Sequence, residues 1–241
     1  MTPSVGSGAP TPSWQKPLGI AVATTALVTL LSYALPESSA ATGVGLAFLA
    51  ATYVAVLRRD HPLSPDHYGL ALGGLLEAEA LSPSRMQREA ARAVGWALLL
   101  ALVIYPVFWL GYVLWWKPHR PFAWAPPPSL TDEVLGQLFV IALPEEAFYR
   151  GFLQTALDDA WKARRRVLGA DLGPGLLVSA ALFAVGHLLT EVNPNRLAVF
   201  FPALVFGWLR ARTRGVGAGV AFHALCNLFA AYLAKCYGLG H

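Results

Sequence analysis

Charge is scarce in this chain of 241 residues: 13% of them are Asp, Glu, Lys or Arg, against roughly 25% in a soluble domain. With 56% hydrophobic residues, eight Trp and twelve Phe, that scarcity points to a polytopic membrane protein rather than a large soluble core. No hydrophilic stretch is long enough to fold separately. One transmembrane domain, residues 18–241, therefore follows a mobile amino-terminal segment, residues 1–17, rich in Pro, Gly, Ser and Thr. Cysteine is nearly absent. Cys226 and Cys236 stand ten apart on one predicted helix, roughly 15 Å along its axis and too far to bridge each other. No clear cleavage site follows the first apolar run, which argues against a signal peptide. No internal repeat is visible, which disfavours an inverted-repeat transporter. No His-Glu-x-x-His occurs, so the usual helical zinc-protease signature is missing.

What is present is a series of seven apolar runs, residues 18–35, 40–57, 94–116, 134–157, 176–189, 195–209 and 216–233. They predict an all-α transmembrane helix bundle of about seven spans, six to eight, because several runs are shorter than the roughly 20 residues a span prefers. Trp109, Trp115 and Trp116 close the third run as an interfacial belt. Residues 60–92 are expected to form a polar loop. Its end carries Arg85, Arg88 and Arg92 at helical spacing, as a solvated or headgroup-facing helix does. The net charge of +4 does not imply a nucleic-acid partner, because the basic residues flank the apolar runs.

Alternating the runs with the amino terminus inside puts thirteen Lys and Arg on the inner side and four outside, with Arg150 left within a run. That is a strong positive-inside bias. It places the amino terminus and the 162–166 cluster in the cytoplasm, in a prokaryotic inner membrane. A cysteine introduced as Arg164→Cys should resist an impermeant reagent in intact cells; efficient labelling from outside reverses the orientation.

Inside the fourth run lies Leu143-Pro144-Glu145-Glu146-Ala147-Phe148-Tyr149-Arg150. Ionisable groups at membrane depth each cost at least a few kcal/mol unless paired or hydrated, and mark function by default. Glu146 and Arg150 are four apart and can neutralise each other on one helix face. Glu145 points about 100° away and lacks that partner, which leaves it able to take a proton as a general base. Two further clusters are Phe183-x-x-x-His187 on the fifth run and His223-x-x-x-Asn227 on the seventh. A carboxylate, two histidines and an amide around a trapped water can perform hydrolysis, with a base, a water-holding residue and oxyanion donors.

Glu-Glu-x-x-x-Arg, Phe-x-x-x-His and His-x-x-x-Asn, in that order on separate helices, resemble the CPBP family, the CAAX-protease and bacteriocin-processing intramembrane endopeptidases. Phe206-Gly207-Trp208-Leu209 and Arg212-Thr213 are similar to the family's run between its last two motifs. The resemblance covers residues 134–233 and implies a glutamic-type intramembrane protease. Glu145 would activate water, His187 would orient it, and His223 and Asn227 would stabilise the oxyanion. Glu146 and Arg150 would form a structural pair. No cofactor is implied; a zinc ion, the lesser reading, would sit on Glu145, His187 and His223. The substrate would be a membrane-associated protein or peptide, such as a CAAX-like tail or a carboxyl-terminal sorting anchor, reached within the lipid bilayer. The alternatives are a non-enzymatic scaffold or immunity-type protein of the same fold, and a proton-coupled transporter. Cys226, Phe183, Tyr149 and Trp208 are expected in packing roles. His61, His67, His119 and His241 should lie outside the spans.

Overall fold

Proline and glycine punctuate the apolar runs, and the chain folds where they permit. The computed structural model describes residues 13–58, 63–77, 81–126 and 129–239 and is 76% helical. His61, His241 and most of the amino-terminal segment lie outside the described residues. Helix α1 (Gln15–Ala34) meets α2 (Glu37–Leu57) across Pro36, whose extended backbone ends the first helix. Then come α3 (Pro83–Trp116), a long helical stretch α4 (130–161), α5 (Gly175–Thr190), α6 (Phe200–Thr213) and α7 (Gly217–Cys236). The all-α expectation holds apart from one two-stranded antiparallel hairpin, β1 (Arg165–Val167) with β2 (Ala170–Leu172). Among the described residues, four helices (α1, α2, α3 and α7) are long and apolar enough to cross a membrane. That criterion does not reach the seven crossings the sequence suggested: α5 has 16 residues and α6 has 14, short of the roughly 20 a span prefers.

The polar stretch expected over residues 60–92 does end in a helix, as the spacing of Arg85, Arg88 and Arg92 implied, but that helix is continuous with the third run and the middle of the stretch is not a free loop. Ser82 accepts a hydrogen bond from the Arg85 amide and caps α3, so residues 83–92 are the first turns of a single 34-residue helix. Residues 63–77, for their part, fold back under the bundle. Leu70 is buried, the Gly69 carbonyl accepts a bond from the Val216 amide, and Arg210 donates to the His67 carbonyl at 2.8 Å. Arg210, read from sequence as a loop cation, is 9% exposed and holds this strap to α6.

The backbone alternates between helix types along α4. Residues Leu130–Leu135, Leu143–Glu146 and Thr155–Trp161 are α-helical, and Gly136–Ala142 and Ala147–Gln154 are π-helical. Pro144 explains part of this, because it has no N–H to return to the Val140 carbonyl. Helix α2 closes on that place. A Cβ at Gly45 would collide with the Val140 carbonyl oxygen, so only glycine allows the approach. All of Ala147–Gln154 is buried. Phe148, Tyr149, Phe152 and Leu153 form the core with Phe48 of α2, Phe183 of α5, Ala203 of α6 and Val220 of α7. Helix α4 is therefore the axis of the bundle. A second cluster, Ala97, Ala101, Phe206, Leu209 and Phe222, fastens α3 to α6 and α7.

Candidate active site

Glu146 is fully buried, and its Oε1 accepts two bonds, from Arg150 Nη1 and His223 Nδ1, each at 3.0 Å. The Glu146–Arg150 pair expected from the spacing is present. The third member, His223, comes from α7 and was not foreseen in this place. Gly219, one turn earlier on α7, makes room: a Cβ there would lie 3.0 Å from Glu146 Oε2. Arg150 also donates to the Ala203 carbonyl at 3.3 Å, so the ion pair reaches α6. Its guanidinium lies 4.4 Å from the Phe183 ring centroid and 5.2 Å from that of Phe206. Ring faces favour a cation most where water is excluded. Phe206 in turn stacks on the His223 imidazole, centroids 4.7 Å apart and 13° between planes. Phe183 and Tyr149, expected in packing roles, are buried as packing residues are, and Phe183 also forms one wall of the cation's box.

Glu145 is placed differently. Its side chain is 12% exposed, and its Oε2 is buried with no hydrogen-bond partner. The nearest cationic nitrogen is His223 Nε2 at 3.8 Å, too far for a direct bond. The His223 ring thus stands between the two carboxylates, one nitrogen bonded to Glu146 and the other facing Glu145. Because the Glu146 oxygen can only accept from it, Nδ1 carries a proton.

His187 is turned by its own helix. Its Nδ1–H donates to the Phe183 carbonyl at 3.0 Å, which fixes the tautomer and leaves Nε2 as an acceptor. It lies close enough to Glu145 and His223 to feel both charges, and Phe183 touches both rings, 4.3 Å from His187 and 5.8 Å from His223. Asn227 sits one turn beyond His223. Its amide Nδ2 donates to Gln137 Oε1 at 2.9 Å. The structure thus bonds Glu146, Arg150 and His223 directly, with Glu145 3.8 Å from His223 and His187 beside them. It ties Asn227 to Gln137, a residue that sequence reasoning passed over. The available signal was a lone amide in an apolar helix, which needs a partner from another helix.

Among the described residues, no group of three His, Cys, Asp or Glu is arranged to hold a metal ion. Glu145, His187 and His223, the three that a zinc reading would use, do not converge in that way. Two cysteines are free, as their spacing required. Of the remaining histidines, His67 pairs with Asp159 at 2.6 Å near the end of α4, and His119 is exposed in the loop after α3. Trp208, expected in packing, does more: its Nε1 donates to the Val167 carbonyl.

Two carboxylates, an arginine and two histidines thus gather from three helices, α4, α5 and α7, in the interior of the bundle. Residues 127–229 match the model of a family described as type II CAAX prenyl endopeptidase Rce1-like. Over that range, which is under half of the chain, the sequence is similar to the CAAX-protease family, a family of membrane proteases. The matched range holds every candidate site residue, Gln137 included. No curated protein and no solved structure matches the chain.

The geometry sets the order of stability among variants. Glu146→Gln should leave Arg150 without its counter-charge in a dry interior, and breaking a buried pair costs about 3–5 kcal/mol. The thermal midpoint in detergent should fall by several degrees or more. Adding Arg150→Met removes the second charge and should recover part of that loss. An undiminished midpoint in the single variant would remove Glu146 from its structural role.

Proposed function

We propose that this protein is an intramembrane endopeptidase in which Glu145 activates a water to hydrolyse a peptide bond of a membrane-associated protein. The observation that carries the reading is Glu145 Oε2, buried and unbonded, 3.8 Å from His223 Nε2. Such an oxygen can accept a proton from a bound water, and the bare Nε2 of His187 is a second acceptor. A water that donates one hydrogen to each turns a lone pair towards a substrate carbonyl. As its oxygen bonds to the carbonyl carbon, its proton passes to Glu145. The tetrahedral oxyanion needs donors. His223 in its imidazolium form offers Nε2–H, since Nδ1–H is committed to Glu146. Asn227 offers the N–H that Gln137 does not take. Collapse breaks the C–N bond, and Glu145 returns its proton to the leaving amine. The products are a carboxylic acid and an amine. With His223 protonated, two cations face two carboxylates, so the dry site carries no net charge, as burial demands.

The family match favours a CAAX-like prenylated tail as substrate, and a carboxyl-terminal sorting anchor is the second candidate of the same chemistry. Helices α4, α5 and α6 would complete about seven crossings, with the amino terminus cytoplasmic. The mechanism is proposed without a metal. The scaffold reading finds no use for a carboxylate that, unlike Glu146, makes no hydrogen bond within the bundle. The transporter reading has to account for the match of residues 127–229 to a protease family.

Two measurements test this. Purified protein in lipid should cleave a prenylated carboxyl-terminal peptide. Glu145→Gln should lower the rate by a factor of at least about 10²–10⁴, the usual worth of a general base, while leaving the thermal midpoint unchanged. A metal chelator should not change the wild-type rate. Near-normal activity in Glu145→Gln, or activity lost to chelation and restored by zinc, would sink the mechanism.

Gln137 gives the second test. Gln137→Leu frees the Asn227 amide, so kcat should fall about tenfold, in line with one weakened oxyanion donor, while KM stays within about twofold. Gln137→Glu keeps an acceptor at the same reach and should restore part of the rate. A loss of thermal stability with kcat per folded molecule unchanged would make Gln137 a tether between helices and nothing more.

A further inference from the structure

Helix α3 measures the membrane. Trp96 and Trp116 stand twenty residues apart on it, about 30 Å along the axis, which is the thickness of the hydrocarbon core. Tryptophan settles at membrane interfaces, and the Trp116 end is rich in further aromatics. Trp109 bonds to the Tyr237 hydroxyl, Tyr112 lies against Trp116, and Trp124 lies against Tyr232. Trp96 therefore marks the opposite interface.

The hairpin β1–β2 is fastened at that level. Trp208 lies edge-on to Trp96 at 5.5 Å and donates to the Val167 carbonyl at 3.2 Å. The Arg212 guanidinium is 5.5 Å from the Trp96 centroid, and Arg212 Nε would be 3.1 Å from a Cβ at Gly169. Buried Ala170 turns the hairpin's inner face towards the bundle.

The outer end of the hairpin breaks two local rules. Its two-residue turn, Leu168-Gly169, has φ of 47° and 78°. Both central residues of such a turn need positive φ, which Asn, Asp and Gly supply and a bulky side chain resists. The leucine is also 81% exposed, and Val167 beside it is 44% exposed. A residue wrong for its backbone and wrong for water is the kind of inconsistency that marks function. The flanks are basic. Lys162, Arg164, Arg165 and Arg166 lead into the turn, and Asp171 is the acid on the second strand. Arg166 shares Asp171 at 3.3 Å and Arg164 leans on Asp158 at 3.5 Å. Lys162 and Arg165 have no acidic partner among the described residues.

We infer that this hairpin is a binding element for anionic phospholipid. Val167 and Leu168 enter the acyl margin of the leaflet at the level of Trp96, and Lys162, Arg165 and Arg212 neutralise headgroup phosphates. An apolar tip between cations suits a charged leaflet, because each part compensates the other's exposure to water. An acidic protein partner would use the cations and leave Leu168 unexplained.

A fluorophore sensitive to polarity tests this, attached to the full chain as Leu168→Cys with Cys226 and Cys236 replaced by Ala. The label sits on an exposed turn, and an unchanged thermal midpoint checks folding. In vesicles of phosphatidylcholine with about one-third phosphatidylglycerol, its emission should shift to the blue and be quenched by lipids spin-labelled near the headgroup. Quenching should be at least about twofold weaker in phosphatidylcholine alone, and about 1 M salt should erase the difference, because the Debye length then falls to about 3 Å. Lys162→Gln with Arg165→Gln should abolish the dependence on phosphatidylglycerol. Water-like emission without quenching in both vesicles would overturn the proposal. So would equal quenching in the two vesicle types, or a label shielded only by an added acidic peptide. No proteolysis is read, so the outcome is independent of the catalytic proposal.

Discussion

One oxygen, Glu146 Oε1, accepts from a guanidinium and an imidazole at the same time, at 3.0 Å each. Glu146 is the nearest acid to both donors, with Glu145 farther off at 3.8 Å from His223, and an isolated buried ion is too costly to keep. The two donors come from α4 itself and from α7, while Arg150 carries the link on to the Ala203 carbonyl of α6. Phe183 of α5 covers the guanidinium. Four helices are thus registered on a single carboxylate. Glu145 is left without a hydrogen bond at Oε2, because Arg150 Nη1 and His223 Nδ1 are both directed at Glu146 Oε1. The environment of Glu145 is therefore set by Glu146.

The backbone of α4 is adapted to the same end. Adjacent residues on a regular helix diverge by about 100°, so two consecutive glutamates cannot both face one cluster. The α-helical turn Leu143–Glu146 is bounded by π-helical stretches on each side, and π insertions occur often at functional sites. Pro144 removes a donor where the π stretch ends, and Gly45 lets α2 close over that irregular backbone. The His223 ring then spans the divergence, with one nitrogen for each glutamate.

Local periodicity made much of this legible. The seven runs occur in order as helices, and Glu146 with Arg150, four apart, form the pair their spacing implied. Contacts between helices were out of reach. Whether His223 would meet Glu145, Glu146 or neither depends on register and bend, which no spacing within one helix encodes. Gln137 looked like one polar residue among many until its partner Asn227 stood opposite. Arg210 read as a loop cation because its sequence neighbours are Arg212 and Arg214; its burial comes from residues 63–77 folding beneath it, a long-range contact. The β-hairpin was hidden for a similar reason: strands of three residues are too short to show alternation, and leucine is not the residue by which such a turn announces itself.

The depth of the site follows from a clamp at one end of the bundle. Asp158 Oδ1, near the end of α4, accepts the Gly175 amide that begins α5, at 2.7 Å, and Arg164 lies 3.5 Å from the same oxygen. Glycine is needed at 175, since a Cβ there would crowd that carboxylate. From this joint the chain runs back thirteen residues to Glu145 and forward twelve to His187. At 1.5 Å per residue those paths are about 20 Å and 18 Å, and the π stretch Ala147–Gln154 shortens the first. Glu145 and His187 therefore lie at one depth because two helices are pinned at a common origin. The hairpin is the loop that closes this joint. Trp208, which donates to the Val167 carbonyl and lies against Trp96, ties that joint to α3 as well.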